Sequence, residues 1–178
     1  MTDWKRNKSL LVECSEPMVR ALFDENKAKG DVIAAIGYVF EFGRGQLCFA
    51  MCANTARSAK KSAAQSLEKY PKEPVDEVRW NSGDYDYPGG LDQFSTEWWN
   101  ELRRLDRLVA ADEAQSKSVH DGITEICCEA LADLAILGAL GDWSVIDFNV
   151  AALFDDVRLV QHRDGKIREL IRSKVKPR

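Results

Sequence analysis

Histidine is nearly absent: 178 residues contain only His120 and His162. A nucleophile–His–acid triad therefore has two positions to build on. Cys127 or Cys128 with His120 is the pair on offer. His120 precedes Cys127 by about two helical turns, so the two would not touch within one helix. Both histidines are expected at the surface. Long apolar runs are also missing, and the longest is interrupted well before membrane-spanning length. The opening residues from Met1 to Lys8 hold no apolar h-region, so no signal peptide is expected there. Phosphate-cradling loops are missing too. Gly43-Arg44-Gly45 and Pro88-Gly89-Gly90 lack the G-x-x-x-x-G-K-[ST] pattern, and no G-x-G-x-x-G opens a helix after a strand. There is no internal repeat, low-complexity segment or linker.

The five cysteines lack the spacing of a metal site. A structural zinc site needs four converging ligands at short loop spacing. Cys48 and Cys52 share a strand face but stand roughly 13 Å apart at strand rise. Cys127 and Cys128 diverge by about 100° on a helix. They are expected to be small buried hydrophobes. Asp84, Asp86 and Asp92 do not make a calcium loop: Pro88 falls where a ligand is needed, and no Glu closes the loop before Glu97. No metal and no cofactor is expected.

What is present is ordinary for a globular chain: 45% hydrophobic and 30% charged residues, enough for one domain spanning 1–178 with a sizeable core. Five cysteines without an export signal point to reduced thiols and a cytoplasmic location. The net charge of -4 argues against nucleic acid as a partner. Arg168, Arg172, Lys174, Lys176 and Arg178 form a basic tail, read as a solvated, frayed terminus. No membrane partner is indicated.

The spacing predicts an α/β fold of the α+β kind, with a mostly antiparallel sheet and a central hairpin packed by amphipathic helices. The first helix is read with Ser15 as N-cap and Pro17 in its first turn, with Ser9 to Cys14 either an earlier turn or a separate piece. Met18, Leu22 and Phe23 supply its stripe, and Gly30 ends it. Val32 to Phe42 reads as a strand with Val32, Ala34, Ile36, Tyr38, Phe40 and Phe42 on one face. Both faces are apolar enough to be covered. Gln46 to Ala53 returns as its hairpin partner. Asn54 is expected to cap a helix running to about Tyr70, closed by Pro71 and Pro74. Val75 to Trp80 suits a short edge strand, and Asn81 to Leu91 is too turn-rich for regular structure. A helix from Ser95 or Thr96 to Ala111 follows, then one from Ser118, which has capping-box spacing to Asp121, to Gly138 or Gly141. Trp143 to Val150 reads as a strand with one apolar and one polar face. In the tail, Val157, Val160, Ile167 and Ile171 fit a helical stripe, while Arg163-Asp164-Gly165-Lys166 suits a hairpin turn; the stripe favours the helix.

Chemistry is sparse, so attention falls on Trp80, Tyr85 and Tyr87 among polar residues. With Trp99, these rings either pin a long loop to the sheet or form a contact surface. Trp and Tyr are enriched at binding hot spots, and Asp84 and Asp86 would select a basic partner. Tyr38-Val39-Phe40, then Ala53-Asn54-Thr55, then a helix, Arg79-Trp80 and Asp84-Tyr85-Asp86-Tyr87 resemble the family catalogued as domain of unknown function 4303. The likeness runs from the first helix to the last strand, and the family favours Trp near the position of Tyr85. It implies a compact bacterial α/β-type domain without an established enzyme activity. Families of this kind often occur as small cytosolic immunity proteins beside toxin genes. The expectation is therefore a protein-binding module, an immunity protein for a cognate toxin or a binder of another protein. Asp84, Tyr85, Asp86 and Tyr87 would make the contact and Trp80 would support it. The alternative is a hydrolase-like enzyme with an acidic site at Asp155 and Asp156.

Overall fold

A computed structural model describes residues 2–43, 47–69, 87–91, 93–152, 155 and 157–175; for 66, 67, 69, 87–91, 113, 114 and 157 it describes the backbone. The elements are α1 (Trp4–Ala28), β1 (Ile33–Glu41), β2 (Cys48–Thr55), α2 (Ala56–Lys69), β3 (Tyr87–Leu91), α3 (Thr96–Ala111), α4 (Glu113–Ile136), β4 (Asp147–Ala152) and α5 (Val157–Lys174). The sheet order is β3-β2-β1-β4. β1 pairs antiparallel with β2, β2 antiparallel with β3, and β1 parallel with β4. This is the expected α+β arrangement, mostly antiparallel, with the β1–β2 hairpin at its centre. Among the described residues, no helix is long and apolar enough to cross a membrane.

α1 starts earlier than Ser15. Asp3 is its N-cap, accepting from the Arg6 N–H at 3.0 Å. Ser15 is a buried mid-helix residue, and its Oγ lies 2.7 Å from the Tyr38 hydroxyl on β1. The Ser15-x-Pro17 pattern imitates a helix start, but Pro17 sits inside α1. Its missing N–H and its ring are tolerated there because tertiary packing of Leu11, Val19 and Leu22 holds the helix together.

β1 carries the core. Ile36, Tyr38 and Phe40 are fully buried and pack with β2 and the helices as expected. The alternation slips at its start, where the register shifts between Ile33 and Ala35. Ile33 is therefore buried, and Val32 stands 58% exposed rather than on the core face. The opposite face is small: Ala35 and Cys52 form a second cluster with Val39 against it. Gly37 is obligatory there, since a Cβ would lie 1.6 Å from the Asn149 carbonyl oxygen of β4.

The cap of α2 is Thr55, whose Oγ1 accepts from the Ser58 N–H at 3.2 Å. Asn54 remains in β2, buried, so the cap expected at Asn54 lies one residue on. The first turn of α2 has no acidic residue of its own. Asp31, in the turn before β1, stands in: hydrogen bonds from the Val32 N–H, the Thr55 hydroxyl and the Arg57 N–H hold its carboxyl below the ordinary value. The segment read as turns contains a strand after all, because Tyr87–Leu91 forms β3. Pro88 and two glycines are compatible with a strand at the end of the sheet order, where fewer ladder bonds are demanded. The expected edge strand at Val75 to Trp80 falls outside the described residues, as does the Arg44-Gly45 part of the hairpin turn.

α3 is capped by Ser95, which accepts from the Trp98 N–H at 3.1 Å. Trp98, Leu102 and Leu105 fill its buried face. α4 begins at Glu113, five residues before the expected Ser118 start, and Ser118 lies exposed inside it. It ends in the paired bonds Gly138 N–H to Ala135 O and Ala139 N–H to Leu134 O, with Gly138 at φ +73°. Leu137, which the helical spacing places on one apolar stripe with Ile123, Ile126, Cys127, Ala130 and Leu134, is exposed beyond that end. The other stripe residues are buried, as are Cys128, Leu131, Ala132 and Ala135, so α4 is enclosed on most sides. Trp4 of α1 lies on Gly122 of α4, where a Cβ would come within 2.2 Å of the indole. Lys8 of α1 reaches Asp133 of α4 at 3.0 Å, and Lys174 of α5 reaches the same carboxylate at 2.7 Å.

Trp143–Val145 is a 3-10 turn rather than strand, and β4 starts at Asp147. Its polar face is not solvated: Asn149 is fully buried and Asp147 nearly so. The tail is the helix α5, anchored by Val160, Ile167 and Ile171.

Candidate functional site

The expected site belongs to the connection between α2 and β3. α2 ends at Lys69, and the chain rejoins the sheet at Tyr87, which pairs with Ala53, while Leu91 pairs with Met51. The Tyr87 backbone is thus fixed beside Ala53-Asn54-Thr55, the stretch that precedes it in the motif. Trp80, Asp84, Tyr85 and Asp86 lie outside the described residues, as does Asp92.

The described surroundings are buried and aromatic. Phe49 of β2 meets Phe94 at 5.3 Å and Trp98 at 5.2 Å between ring centroids, both edge to face. Trp99 meets Phe94 at 6.4 Å. Trp99 is half-buried against this core, so of the four rings grouped in the sequence it packs inward. Two buried polar atoms stand beside the aromatics and the β2 end. Neither Trp98 Nε1 nor Asn54 Oδ1 has a hydrogen-bond partner among the described residues.

The other groups considered for chemistry hold structural positions. Burial pushes the thiol of Cys52 up to about 12, and that of Cys128 likewise to about 12. Cys127 is driven well above the ordinary thiol value, also by burial. None of these is poised as a thiolate nucleophile. His120 is not a free surface residue: its Nδ1 lies 2.8 Å from the Ser116 carbonyl, and its ring meets Phe42 edge-on at 5.9 Å. His120 and Cys127 share α4 and stay apart. His162 is exposed on α5. Asp155 accepts from the Ala152 N–H at 2.7 Å and pairs with Arg163. The acidic-site alternative gains nothing from a carboxylate so engaged; Asp156 is outside the described residues. Among the described residues no three His, Cys, Asp or Glu side chains converge on a metal position.

The described residues also form concavities that the sequence does not announce. A cavity of about 390 Å³ opens between the end of α1 and the turn before β4, lined by Arg20, Phe23, Lys27, Val32, Leu140 and Val145 among others. Its one readable signal is the pair Val32 and Val145, apolar yet exposed. Scans against protein-family models, curated proteins and solved structures found no match to this chain.

Proposed function

We propose that this chain is a protein-binding module, most concretely a bacterial cytoplasmic immunity protein that neutralises a cognate toxin by occlusion. The observation that carries this reading is Asp84-Tyr85-Asp86-Tyr87, an acidic-aromatic run whose last residue is tied by backbone pairing to β2. Tyr offers large contact area at little entropic cost, and the aspartates favour a basic partner surface. An anchored end reduces the ordering cost of binding. The resemblance to the domain of unknown function 4303 family rests on the residues quoted above alone, and what it would imply is the same reading. Asp155 is already engaged by the Ala152 N–H and Arg163, which disfavours the acidic-site alternative.

The test is coexpression with the product of a toxin gene adjacent to this one, with binding measured on the purified pair. Protection, and its loss on replacing Asp84, Tyr85, Asp86 and Tyr87 by Ala, is the expected result. A folded variant that still protects would remove these residues from the contact, and no binding by the unaltered chain would remove the function.

A further inference from the structure

The cavity of about 390 Å³ between the end of α1 and the turn before β4 has the volume of a small-ligand site. Its floor belongs to the core: Ile33, Leu140 and Ile146 are almost wholly buried, and Phe23 lines it half-buried. Val32 and Val145 line it too, at 58% and 63% exposure. They are the two most exposed large hydrophobic residues among those described. Both border the same hollow, and an apolar body seated there would take both out of water.

Charge around the hollow is unbalanced. Asp24, Asp31 and Asp142 line it together with Arg20 and Lys27. Arg20 is engaged by Glu16 at 2.8 Å and by the Leu137 carbonyl at 3.0 Å. Arg57 stands 3.8 Å from Asp31. That leaves Asp24 and Asp142 against Lys27. The Ser144 hydroxyl and N–H, at 2.6 Å and 3.1 Å, hold the Asp142 carboxyl below its ordinary value, so it is anionic near neutrality. Two helices also end here, α1 at Ala28 and α4 at Ile136, and their carbonyl ends add partial negative charge. The last turn of α4 has no basic residue to offset it.

An apolar floor under an anionic rim fits one chemistry. We infer that this cavity binds a small molecule with an aromatic or aliphatic body and one ammonium group. The body covers Val32 and Val145, and the ammonium takes the side of Asp24 and Asp142. A carboxylate on the same body meets like charge there, and a cation without an apolar body leaves the two valines in water. None of these residues belongs to the proposed toxin contact, so the inference stands independently of it.

The test uses two probes with one body and opposite charge, 4-phenylbutylamine and 4-phenylbutyrate, titrated separately into the ¹⁵N-labelled chain. The amine should shift the backbone amides of Gly138, Gly141 and Val145 saturably, with a Kd of about 1 mM or tighter for a ligand of this size. It should bind at least about 10-fold more tightly than the carboxylate. Asp24 is exposed on α1, so Asp24→Lys reverses the rim charge without touching the core. That variant should lower the amine-to-carboxylate preference by about 10-fold or more. Should it fail to fold, Asp24→Asn is read for the same direction of change. Val32→Ser with Val145→Ser should weaken both probes several-fold, since the body loses its apolar contact. No saturable shift at the three amides, or equal affinity for the two probes, would overturn the site. A folded Asp24 variant with the original preference would overturn the placement of the ammonium.

Discussion

Replacing Gly37 by Ala adds one carbon at the tightest point of the sheet. That carbon would lie 1.6 Å from the carbonyl oxygen of Asn149, 2.4 Å from its carbonyl carbon and 2.8 Å from its Cα. All three are backbone atoms, so no side chain can swing aside. Restoring ordinary contact requires β1 and β4 to separate by roughly 1.5 Å or more, which takes hydrogen bonds from about 2.9 Å past their useful range. β1 pairs with β4 over six positions, from Ala35 with Asp147 to Phe40 with Ala152. Losing three or four of those bonds, at about 1 kcal/mol each, gives a cost of about 3–4 kcal/mol. That is a large share of a typical folding stability of about 5–15 kcal/mol, and it predicts a fall in melting temperature of about 10 °C or more. Gly165→Ala is the matched control. Gly165 lies within α5, and a Cβ there meets nothing within 4 Å. That substitution should stabilise the protein by up to about 1 kcal/mol through helix propensity. Urea unfolding of the two variants reads both signs. A Gly37→Ala variant within about 0.5 kcal/mol of the parent would refute the close approach of β1 and β4.

Other consequences are equally specific. Ser15→Ala leaves the buried Tyr38 hydroxyl unpaired and should cost about 2 kcal/mol, whereas Tyr38→Phe removes the hydroxyl itself and should cost about 1 kcal/mol or less, both by urea unfolding. Hydrogen bonds from Arg104 and Asn7 hold the Glu101 carboxyl below its ordinary value of 4.5, against the effect of burial. A depressed folded value stabilises the protein above the unfolded value and ceases to do so as pH falls through the folded one. The stability advantage of the parent over Glu101→Gln should therefore be full near neutrality and fade below about pH 4.5, as read by unfolding across pH. In thiol labelling of the native protein, Cys52, Cys127 and Cys128 should react only on unfolding, while exposed Cys48 reacts in the folded state.

The central hairpin was legible because β1 and β2 carry apolar residues on both faces, a pattern that solvated strands lack. The helix α5 was legible through Val160, Ile167 and Ile171. Boundaries failed where two signals competed. Ser15 and Pro17 look like a helix start, yet the real cap is Asp3, and only contacts with β1 and α4 explain why the helix passes through Pro17. Asn54 and Thr55 are both good caps, and the choice between them depends on Asn54 remaining in the ladder opposite Ala35. β3 was hidden by Pro88-Gly89-Gly90, because its strand character comes from β2 and not from its own residues. The bonds from α5 to the β4 backbone were hidden for a related reason. Asp164 and Arg168 look like an ordinary i,i+4 surface pair, and nothing local shows that they meet backbone atoms 16 and 22 residues away. Of the candidate site, the sequence names the residues, and the fold adds the tie between Tyr87 and Ala53.

The most direct test of the proposed function is calorimetric titration of the product of any toxin gene found adjacent to this one into the unaltered chain and into Tyr85→Ala with Tyr87→Ala, with both chains also melted. The account predicts saturable binding by the unaltered chain. It also predicts an affinity loss of about 2 kcal/mol or more in the variant, roughly 30-fold, with little change in melting temperature. Equal affinity for both chains, or a variant that loses binding only because it has unfolded, would contradict it.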